Sequence, residues 1–558
     1  MNPFLIALTL AFLLQSTSLN TAAPTRFGTL NQVTEWGLHS AKDHADPFNE
    51  LEVDLIITDP QGREERVPAF WAGQLDWTVR YAPQAVGTHR FRTVCSDPSD
   101  TGLQGQEGIL EVGLYTGENP LFQHGPIRVA TDHRHFEHAD GTPFFWLGDT
   151  WWMGLCQRLH WPEDFQLLTA DRVQKGFTVV QIVAGLYPDM PPFDERGANE
   201  AGFPWERDYQ RINPGYFDMA DLRIQHLANR GLVPCVVGSW GYFLPKMGID
   251  KVKKHWRYLV ARWGAYPVVW CLAGEGTMPD YLSQAKEQET ARQKEGWTEV
   301  ARYVRSIDPY HRLISIHPSQ NSRDSVDDAS VLDFDMLQTG HSDRASLPNT
   351  VRQVTGSLAR KPAMPVIDAE PCYEGILEAG REDVQRLLFW ACLLSGAAGH
   401  TYGANGLWQV NTAAQPYGPS PHGRSWGDTP WERAYQLPGS SQLGMSKALL
   451  ARYPWWKFEP HPEWVEPRWN KENFILPYAA GIPGEVRMIY TPARWDLPKV
   501  IGLESDDYAA YLFNPVNGQR RELGRVTPDK SGTWQPPVPP IVQDWVIVMA
   551  RNKASAGR

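Results

Sequence analysis

The stretch Val268-Val-Trp-Cys-Leu-Ala-Gly-Glu275 is a short apolar run that ends in a glutamate, and Met364-Pro-Val-Ile-Asp-Ala-Glu370 is a second run of the same kind. Apolar runs of this length, bracketed by Gly and Pro, predict buried parallel strands. A carboxylate is costly to bury, so it suits the end of such a strand, where the strand opens onto a cleft. If both strands belong to one (β/α)8 barrel, both carboxylates lie at the same open face.

The alternation of side chains along a strand predicts which residues accompany the two glutamates. Cys271 lies four positions before Glu275, and Asp368 lies two positions before Glu370. Each of these pairs is therefore predicted to share one face of its strand. Both glutamates are expected to point into the barrel together.

Eight alternations of a strand with a connecting helix or loop predict the rest of this barrel. The predicted strands are 144–149, 177–183, 232–240, 268–275, 313–317, 332–338, 364–370 and 399–402, and the predicted helices are 162–175, 218–230, 251–266, one ending near 307, 382–394 and 441–453.

The chain has 558 residues, which is too long for one compact core. Short strand-like runs separated by turns predict an N-terminal β-sandwich over residues 24–117 and a C-terminal β-sandwich over residues 456–558. Residues 118–455 form the predicted barrel between them. The predicted fold class is therefore α/β, with a (β/α)8 TIM barrel flanked by two β-sandwich domains.

The first residues have the pattern of a targeting segment. Phe4-Leu-Ile-Ala-Leu-Thr-Leu-Ala-Phe-Leu-Leu14 is apolar but too short to span a bilayer, and small polar residues follow it as far as residue 23. This pattern predicts a signal peptide over residues 1–23. We expect export to the periplasm or the extracellular space, with no membrane segment in the mature protein.

Charge and composition limit the partners. Lys and Arg number 53 against 64 Asp and Glu, a net charge of −11, which disfavours nucleic acid or an anionic membrane surface as the main partner. The chain also contains 24 Trp, 20 Tyr and 21 Phe, and such aromatic side chains can stack on the C–H faces of sugars. A carbohydrate, an oligo- or polysaccharide, is the expected partner.

No motif predicts a metal or a cofactor. The six cysteines have no C-x-x-C spacing, and Cys235 and Cys271 fall inside predicted core strands, where a buried small hydrophobic residue is expected. His133-Arg-His135 and His138 have a spacing found in some metal-dependent barrels, but they precede the first barrel strand on a predicted solvated hairpin. We therefore predict no metal site and no cofactor.

Two carboxylates facing one cleft are the groups that cleave a glycosidic bond. Glu275 is the first candidate, and its alternative role is to cap a helix or to pair with a cation in a loop. Glu370 is the second candidate, and Asp368 and Glu374 lie near it. Asp368 is expected to be a satisfied core carboxylate, whereas Glu374, in the following loop, could bind sugar hydroxyls.

Five stretches of the predicted barrel form a recognisable set in their order and spacing. They are Phe144-Phe-Trp-Leu-Gly-Asp-Thr-Trp-Trp152, Trp270-Cys-Leu-Ala-Gly-Glu275, Gln338-Thr-Gly-His341, Asp368-Ala-Glu-Pro-Cys-Tyr-Glu374 and Tyr402-Gly-Ala-Asn-Gly-Leu-Trp408. Together they resemble the apiosidase-like glycoside hydrolases, which include glycoside hydrolase family 140. The resemblance covers about residues 125–453 and extends to an N-terminal sandwich found before such barrels and a C-terminal sandwich of the type associated with collagen binding.

The resemblance implies a retaining hydrolase that acts on a polysaccharide or its side chains, with a furanosidase as the subtype. Its acid/base falls on Glu275 in the fourth strand and its nucleophile on Glu370 in the seventh. The chain departs from the family pattern at two positions. Glu275 stands where the family more often has Asp, and Gly274 stands where related barrels commonly have Asn.

Other residues near predicted strand ends are candidates for contacting the sugar. Each has a structural alternative: a polar side chain satisfied inside the core, or an aromatic ring that only packs. The candidates are Asp149, Trp151, Gln181, Trp240, His317, Gln338, His341, Glu374, Tyr402 and Trp408.

A second class of function fits the same sequence. A carbohydrate-binding or scaffold protein can retain a hydrolase-like barrel without catalysis. Replacement of Glu275 and Glu370 separates the two hypotheses, because only an enzyme loses sugar release.

Overall fold

The computed structural model describes residues 24–504 and 507–551, and the predicted signal peptide, residues 1–23, lies outside the described residues. A β-rich N-terminal part, a barrel and a β-rich C-terminal part follow one another along the chain. The predicted fold class, a TIM barrel flanked by β-sandwich domains, is confirmed. The domain boundaries stay predictions.

Eight parallel strands form the wall of the barrel. Their hydrogen-bonded order is β5-β4-β3-β2-β1-β8-β7-β6, and short contacts between the segments of β5 and β6 nearly close the ring. The amide of Asp333 donates to the carbonyl of Ile314 at 2.8 Å, and the Ser315 hydroxyl donates to the carbonyl of Phe334 at 2.8 Å. The strands are β1 Trp146–Thr150, β2 Val179–Val183, β3 Val233–Val237, β4 Val269–Cys271, β5 Ile314–Ser315, β6 Asp335–Gln338, β7 Val366–Glu370 and β8 Gly399–Tyr402.

Helices surround the strands, as the parallel arrangement requires. The segment between β5 and β6 has two short 3-10 turns, Ser322–Asp324 and Ala329–Val331, instead of an α-helix, and α6 has no counterpart among the predicted helices. The helices are α1 Glu163–Gln174, α2 Pro214–Asn229, α3 Phe243–Met247, α4 Ile249–Trp263, α5 Lys286–Ile307, α6 Leu347–Ala359, α7 Glu382–Leu394, α8 Trp431–Ala434 and α9 Pro438–Leu450.

The N-terminal part consists of two sheets, and a small sheet of three strands joins it to the barrel. Two short helices, Pro47–Glu50 and Pro120–Gln123, interrupt the strands. In sheet order the strands are Thr25–Thr29, Glu107–Gly113, Gly87–Cys95, Val53–Thr58 and Glu64–Pro68 in the first sheet, Thr34–His39, Asp76–Tyr81 and Phe70–Gly73 in the second, and Pro143–Phe144, Phe136–His138 and Ile127–Val129 in the small sheet.

The C-terminal part has a sheet of six strands and a sheet of two. In sheet order these strands are Glu459–Pro460, Tyr478–Ile482, Val486–Thr491, Trp545–Arg551, Tyr508–Phe513 and Arg520–Arg525 in the first sheet, and Val465–Glu466 and Lys499–Val500 in the second.

A β-bulge in β7 changes the predicted faces of its carboxylates. Leu337 pairs with Asp368 but the next residue, Gln338, pairs with Glu370, so Ala369 is the extra residue on β7. The bulge therefore breaks the alternation. Asp368 contacts Thr339 and lies between the sheet and helix α7, whereas Glu370 points to the cleft. The prediction that the two share one face is wrong.

The remaining sequence features have simple structural roles. All six cysteines are buried and unpaired, as predicted for Cys235 and Cys271. His135 and His138, predicted on a solvated hairpin, are instead buried, and His138 Nδ1 lies 2.8 Å from the carbonyl of Gly125. Within residues 24–504 and 507–551, no helix combines the length and apolar character that crossing a membrane requires.

A buried ion pair attaches the C-terminal part to the barrel. Arg386 in α7 donates from Nε and Nη2 to the two oxygens of Asp544, at 2.7 and 2.8 Å. Tyr490 donates to the same carboxylate at 3.2 Å. Because both charged groups are buried, each depends on the other for compensation.

We predict that Arg386→Ala lowers the free energy of unfolding by about 3–5 kcal/mol, because the Asp544 carboxylate stays buried without its partner. Arg302→Ala is the matched control, since Arg302 pairs with Asp328 at the surface, where such pairs contribute about 0–1 kcal/mol. Urea unfolding of both variants checks this. Equal losses would contradict the role of the buried pair.

Candidate active site

A cleft of about 220 Å³ opens beside the carboxyl ends of the barrel strands, where TIM barrels carry their active sites. Glu275 and Glu370 both line it, which brings the two sequence-predicted carboxylates into one cavity. The other lining residues are Trp152, Pro188, Asp189, Trp240, Met278, Tyr281, Gln338, His341, Tyr373, Ile376, Trp408, His422 and Trp426.

The loop after β4 holds Glu275 in a fixed backbone geometry. Its φ is +42°, in the left-handed region, which costs a non-glycine residue energy and persists only where neighbours enforce it. The flanking amides supply that constraint. Gly274 N donates to the carbonyl of Ser239 at 2.9 Å, and Gly276 N donates to the carbonyl of His317 at 2.9 Å.

The environment of the Glu275 side chain favours its protonated form. Burial, followed by the negative charge of Glu370, raises the pKa of Glu275 to about 7. Trp240 donates from Nε1 to Glu275 Oε2 at 3.3 Å. At neutral pH this carboxyl can therefore both give and accept a proton.

Glu370 has the opposite environment. His341 Nε2 lies 2.9 Å from Oε1, His317 Nε2 lies 3.0 Å from Oε2, and Gln338 Nε2 donates to Oε1 at 3.3 Å. Although burial alone raises the pKa of Glu370, these two imidazoles hold it well below its usual range. Glu370 is therefore a carboxylate at neutral pH.

Each of the two histidines places its Nε2 beside the Glu370 carboxylate, and His341 is hydrogen-bonded to it. His317 Nδ1 accepts from the amide of Glu275 at 3.5 Å, which leaves the proton on Nε2, facing Glu370. Burial lowers the pKa of His341, but contacts with Cys372 and Glu370 outweigh it and raise the pKa to about 9. His341 is thus a cation beside the Glu370 carboxylate.

Five of the predicted sugar contacts lie in or directly beneath the cleft. Trp240, Gln338, His341 and Trp408 line it, while His317 lies behind Glu370. Four buried atoms among these side chains have no hydrogen-bond partner within the described chain: Trp408 Nε1, Gln338 Oε1, His341 Nδ1 and His317 Nε2, of which the last lies 3.0 Å from Glu370 Oε2 without hydrogen-bond geometry. Unpaired polar atoms in an aromatic cleft are suited to the hydroxyls of a sugar.

Asp149 and Trp151 are corrected from sugar contacts to core residues. Asp149 accepts from Trp151 Nε1 and from Arg172 Nε, each at 2.6 Å, and all three side chains are buried. Trp151 packs edge-on against Phe165. The ion pair with Arg172 satisfies Asp149 behind the barrel wall, so neither residue reaches the cleft.

Gln181, Glu374 and Tyr402 are corrected in the same way. Gln181 Nε2 donates to the carbonyl of Ala369 at 2.9 Å inside the barrel. Glu374 accepts from the Tyr402 hydroxyl at 2.5 Å and from the amide of Gly439 at 3.0 Å. All three side chains are buried and none of them lines the cleft, so they do not take the role that the sequence analysis assigned to them.

The most important cleft residues without a sequence prediction are Trp152 and Tyr373. Trp152 donates from Nε1 to the Tyr373 hydroxyl at 3.1 Å, and the Tyr373 ring packs 4.6 Å from that of His341. Both residues lie inside stretches that resemble the family, and this resemblance was the one feature of the sequence that could have identified them as cleft residues. Asp189, Tyr281 and the other loop residues had no signal, because their loops have no regular pattern.

One buried group of side chains has donor atoms close enough to share an ion. Asp368, Cys392 and His400 bring one such atom each within 4.8 Å of one another. Burial raises the pKa of Asp368 to about 8 and lowers that of His400 to about 3, so both are uncharged at neutral pH. The group lies between the sheet and helix α7, away from the cleft, and we assign no metal to it.

Two tryptophans provide a comparison that needs no substrate. Trp151→Phe removes the N–H that the buried Asp149 accepts, so we predict a loss of about 1–3 kcal/mol in the free energy of unfolding. Trp408→Phe removes an N–H with no partner in the described protein, so stability should stay near that of the wild type. Urea unfolding measures both, and a larger loss for Trp408→Phe would contradict these assignments.

Two parts of the chain match known protein families. Residues 130–457 match the family described as "Apiosidase-like, catalytic domain", and residues 31–96 match a domain of unknown function, DUF5060. A search of curated protein sequences finds no match.

Solved structures share the fold. A structure described as a glycoside hydrolase has 23% identity and a TM-score of 0.65, over 78% of this chain and 99% of its own. A glycoside hydrolase family 5 protein from Bacteroides vulgatus has 22% identity and a TM-score of 0.65, over 78% of this chain and 96% of its own. Another Bacteroides vulgatus structure has 16% identity and a TM-score of 0.69, over 94% of this chain and 100% of its own.

At these identities the structures show the fold alone, whereas the family match spans more than half of the chain, including the barrel and both cleft glutamates. The chain therefore belongs to the apiosidase-like family of glycoside hydrolases.

Proposed function

We propose that the protein is a retaining glycoside hydrolase in which Glu275 is the acid/base and Glu370 is the nucleophile. The observation that carries the proposal is that two glutamates line one cleft in different surroundings, since two histidines lie beside Glu370 and none of the described residues forms an ion pair with Glu275. The pKa of Glu275 is raised to about 7, whereas that of Glu370 is held well below its usual range. Pairs of carboxyl groups whose pKa values differ in this way divide acid and nucleophile roles between them.

In the first step the Glu370 carboxylate attacks the anomeric carbon, and the bond to the leaving oxygen breaks as Glu275 transfers its proton to that oxygen. A covalent glycosyl ester on Glu370 results. In the second step Glu275, now a carboxylate, takes a proton from water, and the water oxygen attacks the anomeric carbon. The ester bond breaks, Glu370 leaves as a carboxylate, and the configuration of the sugar is retained.

Gln338 acts on both glutamates. Its amide nitrogen donates to Glu370 Oε1 at 3.3 Å, and its side chain also favours the charged form of Glu275. Retention itself is proposed from the family, and it requires a carboxyl separation of about 5–5.5 Å, whereas inverting enzymes need more.

The substrate we propose is a neutral furanoside on a polysaccharide or its side chains. The furanoside follows from the family, and the cleft supports a small uncharged sugar. At about 220 Å³ it is smaller than sites for drug-sized ligands, which start near 300 Å³. Among the described residues that line it there is no Lys or Arg to pair with an acidic sugar. We also propose export, supported by the apolar sequence of residues 4–14.

We predict that Glu275→Gln lowers kcat/KM by about 10²–10⁴-fold and that Glu370→Gln abolishes turnover, because the amides keep the shape but cannot transfer the proton or form the ester. Glu374→Gln is the control, since Glu374 bonds to Tyr402 outside the cleft, and its folded fraction should stay active. The assay is release of nitrophenol from aryl furanosides and pyranosides of both anomers. A wild type that binds glycans but releases no sugar would favour the carbohydrate-binding alternative.

The pH profile of kcat/KM should fall on the alkaline side near pH 7, because Glu275 must be protonated for the first step. On the acid side the profile should fall only below about pH 4.3, the usual pKa of glutamate, because the pKa of Glu370 is lowered and its carboxylate stays charged. A dinitrophenyl leaving group needs no proton, and with it the alkaline limb should weaken. An alkaline limb that is the same for both leaving groups would contradict the acid role of Glu275.

A further inference from the structure

Gly274, the residue before the proposed acid/base, has no room for a side chain. A Cβ built on Gly274 would lie 2.1 Å from Cζ3 and 2.2 Å from Cε3 of Trp240. Real Cβ atoms essentially never approach other atoms this closely, and an aromatic ring cannot bend away. The indole of Trp240 therefore takes the space that a side chain at position 274 would fill.

The backbone fixes Trp240 against the Glu275 loop. Trp240 N donates to the carbonyl of Leu186 at 2.9 Å, and Gly241 N donates to the carbonyl of Gly274 at 2.8 Å. A Cβ at Gly241 would lie 2.4 Å from the carbonyl oxygen of Glu275, so the two loops are in direct backbone contact here. The position of the indole relative to Glu275 follows from this contact.

The ring of Trp240 is held on its other sides by cleft residues. Trp152 packs against it edge-on at 5.6 Å, and His317 lies at 6.3 Å. Trp240 is 3% exposed, lines the cleft, and points its Nε1 at Glu275 Oε2, 3.3 Å away. An indole nitrogen can only donate, so this contact selects one orientation of the carboxyl group.

From this packing we infer that Trp240 is a positioning residue for Glu275. Its N–H orients the carboxyl group, and its ring fills the space that a side chain at position 274 would take, which holds the indole in place. The inference rests on the proposed function and adds to it the residue that sets the orientation of the acid/base.

Several other groups act on the charge of Glu275. Glu370, His317 and Asp189 each shift the pKa of Glu275 through their charge. Glu275 in turn raises the pKa of three tyrosines that lie close to it, which are Tyr242, Tyr281 and Tyr373. The effect of the Trp240 hydrogen bond on the pKa of Glu275 adds to the effects of these groups.

Trp240→Phe tests the positioning role because it keeps an aromatic ring and removes the N–H. Loss of a donor to the carboxylate disfavours its charged form, so the alkaline limb of kcat/KM should move up by about one pH unit, and kcat should fall about tenfold. The control is Trp152→Phe, whose N–H bonds to Tyr373 instead, so its alkaline limb should stay in place. An unmoved limb in Trp240→Phe overturns the positioning role.

A titration without substrate separates this result from the proposed function. ¹³C NMR of protein labelled at glutamate Cδ, with Glu275→Gln to assign the signal, should show Glu275 titrating at higher pH in Trp240→Phe than in the wild type. Equal midpoints overturn the inference whether or not the protein hydrolyses a glycoside. A shifted midpoint in a protein that releases no sugar supports the contact and sinks the hydrolase proposal instead.

The packing that holds the indole in place is tested by coupling positions 240 and 274. Gly274→Ala should lower kcat/KM by at least tenfold in the wild type, because the new Cβ displaces the indole. In a Trp240→Phe background, where the ring is shorter, the same change should cost less, which is the non-additivity expected of residues in contact. Equal losses in the two backgrounds overturn the claim that the indole fills this space.

Discussion

The chemistry of this cleft depends on the contacts that His317, His341 and Gln338 make with the Glu370 carboxylate. Two imidazoles and an amide surround one carboxylate: His317 comes from the loop after β5, Gln338 from the end of β6 and His341 from the loop after β6. They stabilise a negative charge that burial alone would disfavour. Once that charge is present, it raises the pKa of Glu275 across the cleft. These contacts therefore set the charge of Glu370 and, after burial, are the next cause of the raised pKa of Glu275.

The strands and the two glutamates were predictable because each signal is local. A buried parallel strand is a continuous apolar run, and an acidic residue at its end is visible in the sequence. The bulge at Ala369 was not visible, because it depends on the pairing of β6 with β7. Helix α6 was missed although Val351 and Val354 have helical spacing.

Sugar contacts were harder to predict because a polar residue at a strand end can either face the cleft or be paired inside the core. Asp149 lies near the end of β1 and Glu275 lies just beyond the end of β4, yet Arg172 from helix α1 neutralises Asp149 in the core. Among the residues that the structure describes, no Lys or Arg forms an ion pair with Glu275. The difference lies in side chains contributed by distant parts of the chain, which one local stretch cannot reveal. The loop residues of the cleft, such as Tyr281 and Trp426, gave no pattern at all.

The flanking sheets are joined to the barrel by buried ion pairs, and not only by the connecting chain. On the N-terminal side Arg80 reaches Asp221 in helix α2 at 2.7 Å, and on the C-terminal side Arg386 holds Asp544. Cutting the chain at either junction would leave Asp221 or Arg386 without its partner from the flanking part, on a newly exposed surface of the barrel. A trimmed barrel, prepared for crystallisation or for engineering, is therefore a poor substitute for the intact molecule, and accessory modules of this kind belong to the folding unit of the enzyme.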